Sequence, residues 1–190
     1  QAGSLTNEAE LANTLDISKT TVARYVWLLE QTFAVFRLSP FFTNKRSELS
    51  KMPKIYFHDT GWRNIWIQPS LVPLSQRIDA GHLAENSAVI GAHKKIILNE
   101  LDTRYALHFW RTNIQQEVDL ILAPAIASDS ALPIEVKYQP MNKPLVPSGI
   151  KSFWRKYPSA KKAVVATKDF TASQKVGDKE IFYLPAWLLS

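Results

Sequence analysis

The chain has no cysteine among its 190 residues. Disulfides, zinc–thiolate centres and thiol nucleophiles are therefore excluded. Glycine is scarce as well, with six residues at positions 3, 61, 81, 91, 149 and 177. None of them has the spacing of a G-x-x-x-x-G-K phosphate loop, so these residues do not form a P-loop ATPase. The four histidines, His58, His82, His93 and His108, lie far apart and lack the spacing of metal ligands on one helix. No run approaches the roughly 18 apolar residues of a membrane span, and no basic and apolar signal segment opens the chain. A cytoplasmic protein without a membrane partner is expected.

What is present is ordinary for a folded chain: 46% hydrophobic and 21% charged residues, enough for one sizeable core or two small ones. The net charge of +6 and a pI near 9.5 favour an anionic partner. Between residues 139 and 175 stand Lys143, Lys151, Arg155, Lys156, Lys161, Lys162, Lys168 and Lys175 against the single acid Asp169. That run suits a polyanion, though it also reads as a solvated helix face with its loops.

Two short strand-like segments carry the chemistry. Glu117-Val118-Asp119-Leu120-Ile121-Leu122 brings an aspartate, and Pro133-Ile134-Glu135-Val136-Lys137 brings a Glu-x-Lys. Strand side chains alternate faces, so Glu135 and Lys137 point the same way, and Asp119 meets them if its strand pairs alongside. Phosphodiester hydrolysis needs a hard cation such as Mg²⁺ or Mn²⁺ held by one or two carboxylates. Asp119 and Glu135 are the candidate metal ligands. Lys137 is the candidate ammonium that positions water and offsets charge developing on phosphate oxygens. The bland alternative is a wet strand face carrying solvated charges.

The rest of the chain reads in two parts. Asn7 with Glu10 three residues later predicts a helix over Glu8 to Thr14, with Ala9, Leu11 and Ala12 to pack. Ser18 caps a second helix, Lys19 to Gln31, on which Val22, Tyr25, Val26, Leu28 and Leu29 fall at helical spacing. Phe33 to Leu38 and Lys54 to His58 read as strands separated by a basic loop with Lys45 and Arg46. Together these predict a winged helix-turn-helix over residues 1–58, whose candidate nucleic-acid contacts are Lys19, Thr20, Thr21, Arg24, Lys45 and Arg46. Seven Lys/Arg against five Asp/Glu leave this part only slightly basic, at +2.

Over residues 59–190, Asp59 starts a short helix with Trp62 and Trp66, and a helix follows from Gly81 to Leu98 with core positions Leu83, Val89, Ile90, Ile96 and Ile97. Gly91 is expected to weaken that helix by roughly 1 kcal/mol relative to Ala. Strands are predicted at Tyr105 to Arg111, Glu117 to Ala123 and Leu132 to Tyr138. Ser148 then caps a helix to Tyr157, buried along Ile150, Phe153, Trp154 and Tyr157, with Lys151 and Arg155 projecting outward as candidate backbone contacts for DNA. Strands at Ala163 to Thr167 and Ile181 to Leu184 complete an α-β-β-β-α-β core. The fold class is α/β (α+β) with a mixed central sheet.

The chain resembles the domain of unknown function that follows the AAA+ ATPase module in many prokaryotic ATPases. The resemblance is carried by Leu11-Ala12, the stretch Ile17-Ser18-Lys19-Thr20-Thr21-Val22-Ala23-Arg24-Tyr25, and Leu28-Leu29-Glu30. It continues through Pro53-Lys54-Ile55-Tyr56-Phe57, Asp59-Thr60-Gly61, Glu85-Asn86, Phe109-Trp110-Arg111, Glu117-Val118-Asp119 and Ile134-Glu135-Val136-Lys137. It implies a winged helix joined to a restriction-endonuclease-like PD-(D/E)xK core, with Glu85, Asp119, Glu135 and Lys137 at the nuclease-like positions. It gives Glu85 a role in supporting the metal or its water shell, and implies an ATPase module preceding residue 1. The chain departs from the family pattern at Trp62-Arg63-Asn64-Ile65-Trp66 and in the irregularly apolar Ser87 to His93. Three functions follow as expectations: a Mg²⁺-dependent nuclease, a non-catalytic DNA-binding module, or a protein-interaction module serving the absent ATPase.

Overall fold

A computed structural model of the chain describes residues 3–41, 52–67, 72–102, 104–124 and 130–190. The predicted loop residues Lys45 and Arg46 lie outside them. Among the described residues the fold is mixed α/β, with five helices and one mixed eight-stranded sheet. The helices are α1 (Glu8–Leu15), α2 (Lys19–Gln31), α3 (Thr60–Ile67), α4 (Ala80–Ile97) and α5 (Ser148–Lys156). The strands are β1 (Val35–Pro40), β2 (Lys54–Phe57), β3 (Tyr105–Arg111), β4 (Glu117–Pro124), β5 (Leu132–Lys137), β6 (Lys162–Thr167), β7 (Ala172–Val176) and β8 (Lys179–Pro185). Their order across the sheet is β2-β1-β3-β4-β5-β6-β8-β7. No described helix is long and apolar enough to cross a membrane.

The α1–α2 pair forms as its caps dictate. Asn7 accepts from the backbone N–H groups of Ala9 and Glu10, and Ser18 accepts from that of Thr21. Asp16 closes α1 in the left-handed conformation, φ 54°, which Asp tolerates better than most residues. The pair buries Ala12, Val22 and Val26 against partly covered Leu11, Ile17 and Ile55. This core is thin. Ala9, Tyr25, Leu28 and Leu29, expected to pack, are exposed instead, because only one narrow stripe of α2 meets α1. Phe33 is not in a strand: it takes a positive φ of 55° in the turn ending α2, and β1 begins at Val35.

Two clusters cover the two faces of the sheet. On one face α4 brings Val89, Ile90 and Ala92 onto Leu38, Tyr56, Leu107, Phe109, Leu120 and Ile134. On the other, α5 lays Ile150, Phe153, Trp154 and Tyr157 on Trp110, Val118, Ile121, Val165 and Ile181. Fully burying side chains of this kind is worth about 1.5–3 kcal/mol each. The predicted stripe of α5 is the buried one, and Lys151 and Arg155 are exposed. Ser148 does not cap α5; it is the first helical residue and Pro147 precedes it at the cap position, making no side-chain cap bond.

Helix α4 is covered nearly all round over Ala88 to Ala92, which explains its lack of a clean apolar stripe. A Cβ on Gly91 would lie 2.0 Å from the Leu189 carbonyl oxygen. The glycine that seemed only to weaken the helix is what lets the C-terminal backbone lie against it. Ile97, expected in the core, is exposed at the last position of α4. Strand β7 was not anticipated. It pairs antiparallel with β8 through a turn at Gly177, φ 64°, and adds an edge to the sheet.

Candidate functional site

The site grows from an irregularity in β4. His108 of β3 pairs with Ile121 and Trp110 pairs with Val118, so Phe109 stands opposite both Asp119 and Leu120. Two residues against one is a β-bulge, and a bulge re-aims side chains. Leu120 accordingly joins the cluster under α4 while Val118, two residues away, joins the one under α5. On the other side of β4, the ladder to β5 ends at the pair Leu120 and Ile134. The next residues outward on the two strands are Asp119 and Glu135. Beyond that point β5 continues along β6 to the pair Lys137 and Thr167, while β4 continues along β3 to Arg111 and Glu117. The gap is closed by a side chain: Val136 donates its backbone N–H to Asp119 Oδ2 at 2.7 Å.

Glu135 is buried, with 6% of its surface exposed. Its Oε1 meets Lys137 Nζ at 2.7 Å, as the two-residue spacing on one strand face requires. Its Oε2 is buried without a hydrogen-bond partner. Gly149, at the start of α5, stands over this region: a Cβ there would lie 1.8 Å from the Glu117 carbonyl oxygen and 3.4 Å from Glu135 Oε2.

Glu85 comes from α4 and belongs to the same group. Its Oε1 accepts from the Tyr56 hydroxyl at 2.7 Å and from Lys54 Nζ at 3.0 Å. Lys54, whose side chain is 3% exposed, also ion-pairs with Glu117, and Glu117 in turn meets Arg111 at 3.4 Å. Asn86, the neighbour of Glu85, holds β2 in place by accepting from the Phe57 N–H at 2.9 Å and donating to the Phe57 carbonyl at 2.8 Å. Thus Glu85, Asp119, Glu135 and Lys137 are brought together.

Lys54, Tyr56 and Glu117 are the site residues that sequence reasoning missed. The available signal was period two in β2, which puts Lys54 and Tyr56 on one face and Ile55, packed on the helix pair, on the other.

The charges are unbalanced: four carboxylates, Glu85, Glu117, Asp119 and Glu135, gather around Lys54, Lys137 and Arg111. Burial, then repulsion from Glu85 and Glu135, holds the Asp119 carboxyl well above the usual carboxylate range. Burial also raises Glu135, against the pull of Lys137. For Lys54, burial favours the neutral amine, but Glu85, Asp119 and Glu117 outweigh it and the ammonium is held more firmly than in water. Lys137 is likewise pulled down by burial and raised past its ordinary value by Glu135 and Asp119. The acidic group as a whole therefore favours one more positive charge, a proton or a cation.

Among the described residues no three acidic or histidine side chains are gathered so as to hold a metal ion by themselves. Two carboxylates with water and a substrate phosphate suffice for Mg²⁺. Asp119 and Glu135, with the unpartnered Oε2, fit that smaller requirement.

The remaining candidates stand apart from this group. Lys19, Thr20 and Arg24 are exposed at the start of α2, whereas the Thr21 hydroxyl lies 2.8 Å from Ser18 Oγ in the cap. Arg155 lines a groove of about 260 Å³ with Lys156, Ser152, Trp110, Thr112, Ile114 and Gln116, and Gln116 directly precedes Glu117 of the acidic group.

The model for a family described as a domain of unknown function, DUF4143, matches residues 80–189, more than half of the chain, and a second, DUF8612, also a domain of unknown function, matches residues 1–69. The chain is 32% identical over 121 residues to an uncharacterized protein of Mycobacterium tuberculosis and, equally, to one of Mycobacterium bovis. Each match covers 62% of this chain but 26% of the relative, so the chain spans about a quarter of the length of the curated relatives it matches. No solved structure matches.

Proposed function

The chain belongs to the DUF4143 family, and on that premise we propose that it is the nuclease-like, DNA-contacting region of a larger cytoplasmic AAA+ ATPase. In this reading residues 1–58 act as a winged helix and residues 59–190 as a PD-(D/E)xK-type core. One observation carries it: Asp119 and Glu135 are the next residues past the last β4–β5 pair, Glu135 has one buried carboxylate oxygen unpartnered, and its other oxygen meets Lys137. Asp119 and Glu135 would hold Mg²⁺ or Mn²⁺, which when bound supplies Lewis-acid polarisation of the scissile phosphate. Lys137 holds Glu135 in position and presents an ammonium to developing negative charge. Glu85 orders the cluster through Tyr56 and Lys54. Lys151 and Arg155, exposed on α5, hold the backbone of the bound strand.

The test is incubation of the chain with supercoiled plasmid and single-stranded DNA in Mg²⁺ or Mn²⁺, beside Asp119→Asn and Lys137→Ala. Metal-dependent cleavage that falls at least 100-fold in both variants is the expected result. Activity surviving both substitutions belongs to a contaminant and removes the reading.

A second reading has its own observation. Lys54 already pairs with Glu85 and Glu117, and Lys137 with Glu135, so most of the acids have internal partners. Under it the region binds DNA for the ATPase without cutting. Salt-dependent binding with no cleavage in either metal decides for it.

A further inference from the structure

The acidic group contains a cation of its own. Lys54 arrives from β2, outside the strands that carry Asp119 and Glu135, and its ammonium is enclosed by Glu85 and Glu117. The Tyr56 hydroxyl, two residues on, takes the same Glu85 oxygen at 2.7 Å. The Asn86 side chain fixes the end of this strand through both backbone groups of Phe57. A lysine this buried, with two carboxylate partners and its strand clamped at the far end, is not a snorkelling surface residue.

Phosphodiesterases work with one ion, or with two about 4 Å apart that share carboxylates. Here the carboxylates differ in what engages them. Glu135 Oε2 is buried with no hydrogen-bond partner, while Glu85 and Glu117 are engaged by an ammonium. We infer that Lys54 is a resident counter-cation filling the place a second divalent ion would take, so that the site accepts one divalent ion and not two. Lys54 is thereby a positioning residue: it engages Glu85 and Glu117 and sets the metal count. The inference rests on the reading of Asp119 and Glu135 as metal ligands.

Mn²⁺ alone, titrated into the full chain by calorimetry and by the electron paramagnetic resonance of the free ion, tests it without DNA or turnover. The wild type is expected to bind one ion. Lys54→Met and Lys54→Gln are expected to bind two, and Lys54→Arg, which keeps the charge, to bind one. Adding Glu117→Gln to Lys54→Gln is expected to return the count to one. Lys54→Gln keeps donors for both carboxylates and serves if Lys54→Met does not fold.

Folded neutral variants that still bind one ion with unchanged affinity overturn the inference, as does a wild type that binds two. A wild type that binds none while Lys54→Gln binds one supports the counter-cation and defeats the metal reading of Asp119 and Glu135. No binding in any variant defeats both.

Discussion

Val136 gives its backbone N–H to the Asp119 carboxylate at 2.7 Å, just beyond the last ladder pair between β4 and β5, Leu120 with Ile134. The acid therefore does structural work before it does any chemistry, since it takes over a ladder bond that the diverging strands no longer make. An amide at position 119 can accept the same bond, which separates the charge of Asp119 from its place in the sheet.

That separation yields a pH prediction. Burial and neighbouring acids raise Asp119 and Glu135 in the folded chain, so the folded state binds more protons than the unfolded one once pH passes the ordinary carboxylate range. Stability from these groups then falls as pH rises toward neutral. Lys54 is raised above an already basic value, so its contribution does not change in this window. Melting curves from about pH 5 to about pH 8 should show the midpoint falling with pH in the wild type and a flatter profile in Asp119→Asn, which should melt higher near neutrality. Mg²⁺ should recover part of the wild-type loss. A steeper fall in Asp119→Asn would contradict the electrostatic account.

Two glycines of one helix should respond oppositely to the same change. At Gly91 an alanine Cβ would meet the Leu189 carbonyl oxygen at 2.0 Å, whereas at Gly81 nothing lies within 4 Å. Gly91→Ala should destabilise by about 3 kcal/mol, the upper range for overpacking, because backbone rather than a pliable side chain must move. Gly81→Ala should stabilise by about 0.5 kcal/mol through helix propensity. Urea unfolding of the two variants measures both, and equal midpoints would refute the close approach.

The exposed basic residues of α5 predict a salt effect. If Lys151 and Arg155 each neutralise a phosphate, replacing either by Ala should lower the slope of log affinity against log salt by roughly one. Fluorescence anisotropy with a labelled duplex reads it directly. A slope unchanged in the double variant would leave these side chains as a solvated face.

Much of the fold was legible because the burial pattern is local. β3, β4 and β5 announce themselves by apolar alternation, and α5 by Ile150, Phe153, Trp154 and Tyr157 at helical spacing. Asp119, Glu135 and Lys137 could be grouped from strand periodicity alone, while Glu85 needed the family resemblance.

What escaped depends on partners distant in sequence. Lys54 reads as a solvated strand end until α4 and β4 enclose it. The bulge at Asp119 and Leu120 is set by register against Phe109, which no single strand records. Strand β7 has no fully buried residue and is held by its ladder to β8, so hydrophobic pattern could not show it; only Gly177 at the turn hinted at a hairpin.

Strand β1 lies parallel to β3, pairing Ser39 with His108 and Pro40 with Phe109, and so ties the first third of the chain to the rest through main-chain bonds. Cutting after residue 58 would strip that neighbour away and leave β3 with a raw, sticky border, an invitation to aggregate. Loss of DNA affinity in such a fragment would report damage as readily as a missing contact. The contribution of the leading helices is better read from Lys19→Ala and Arg24→Ala in the intact polypeptide.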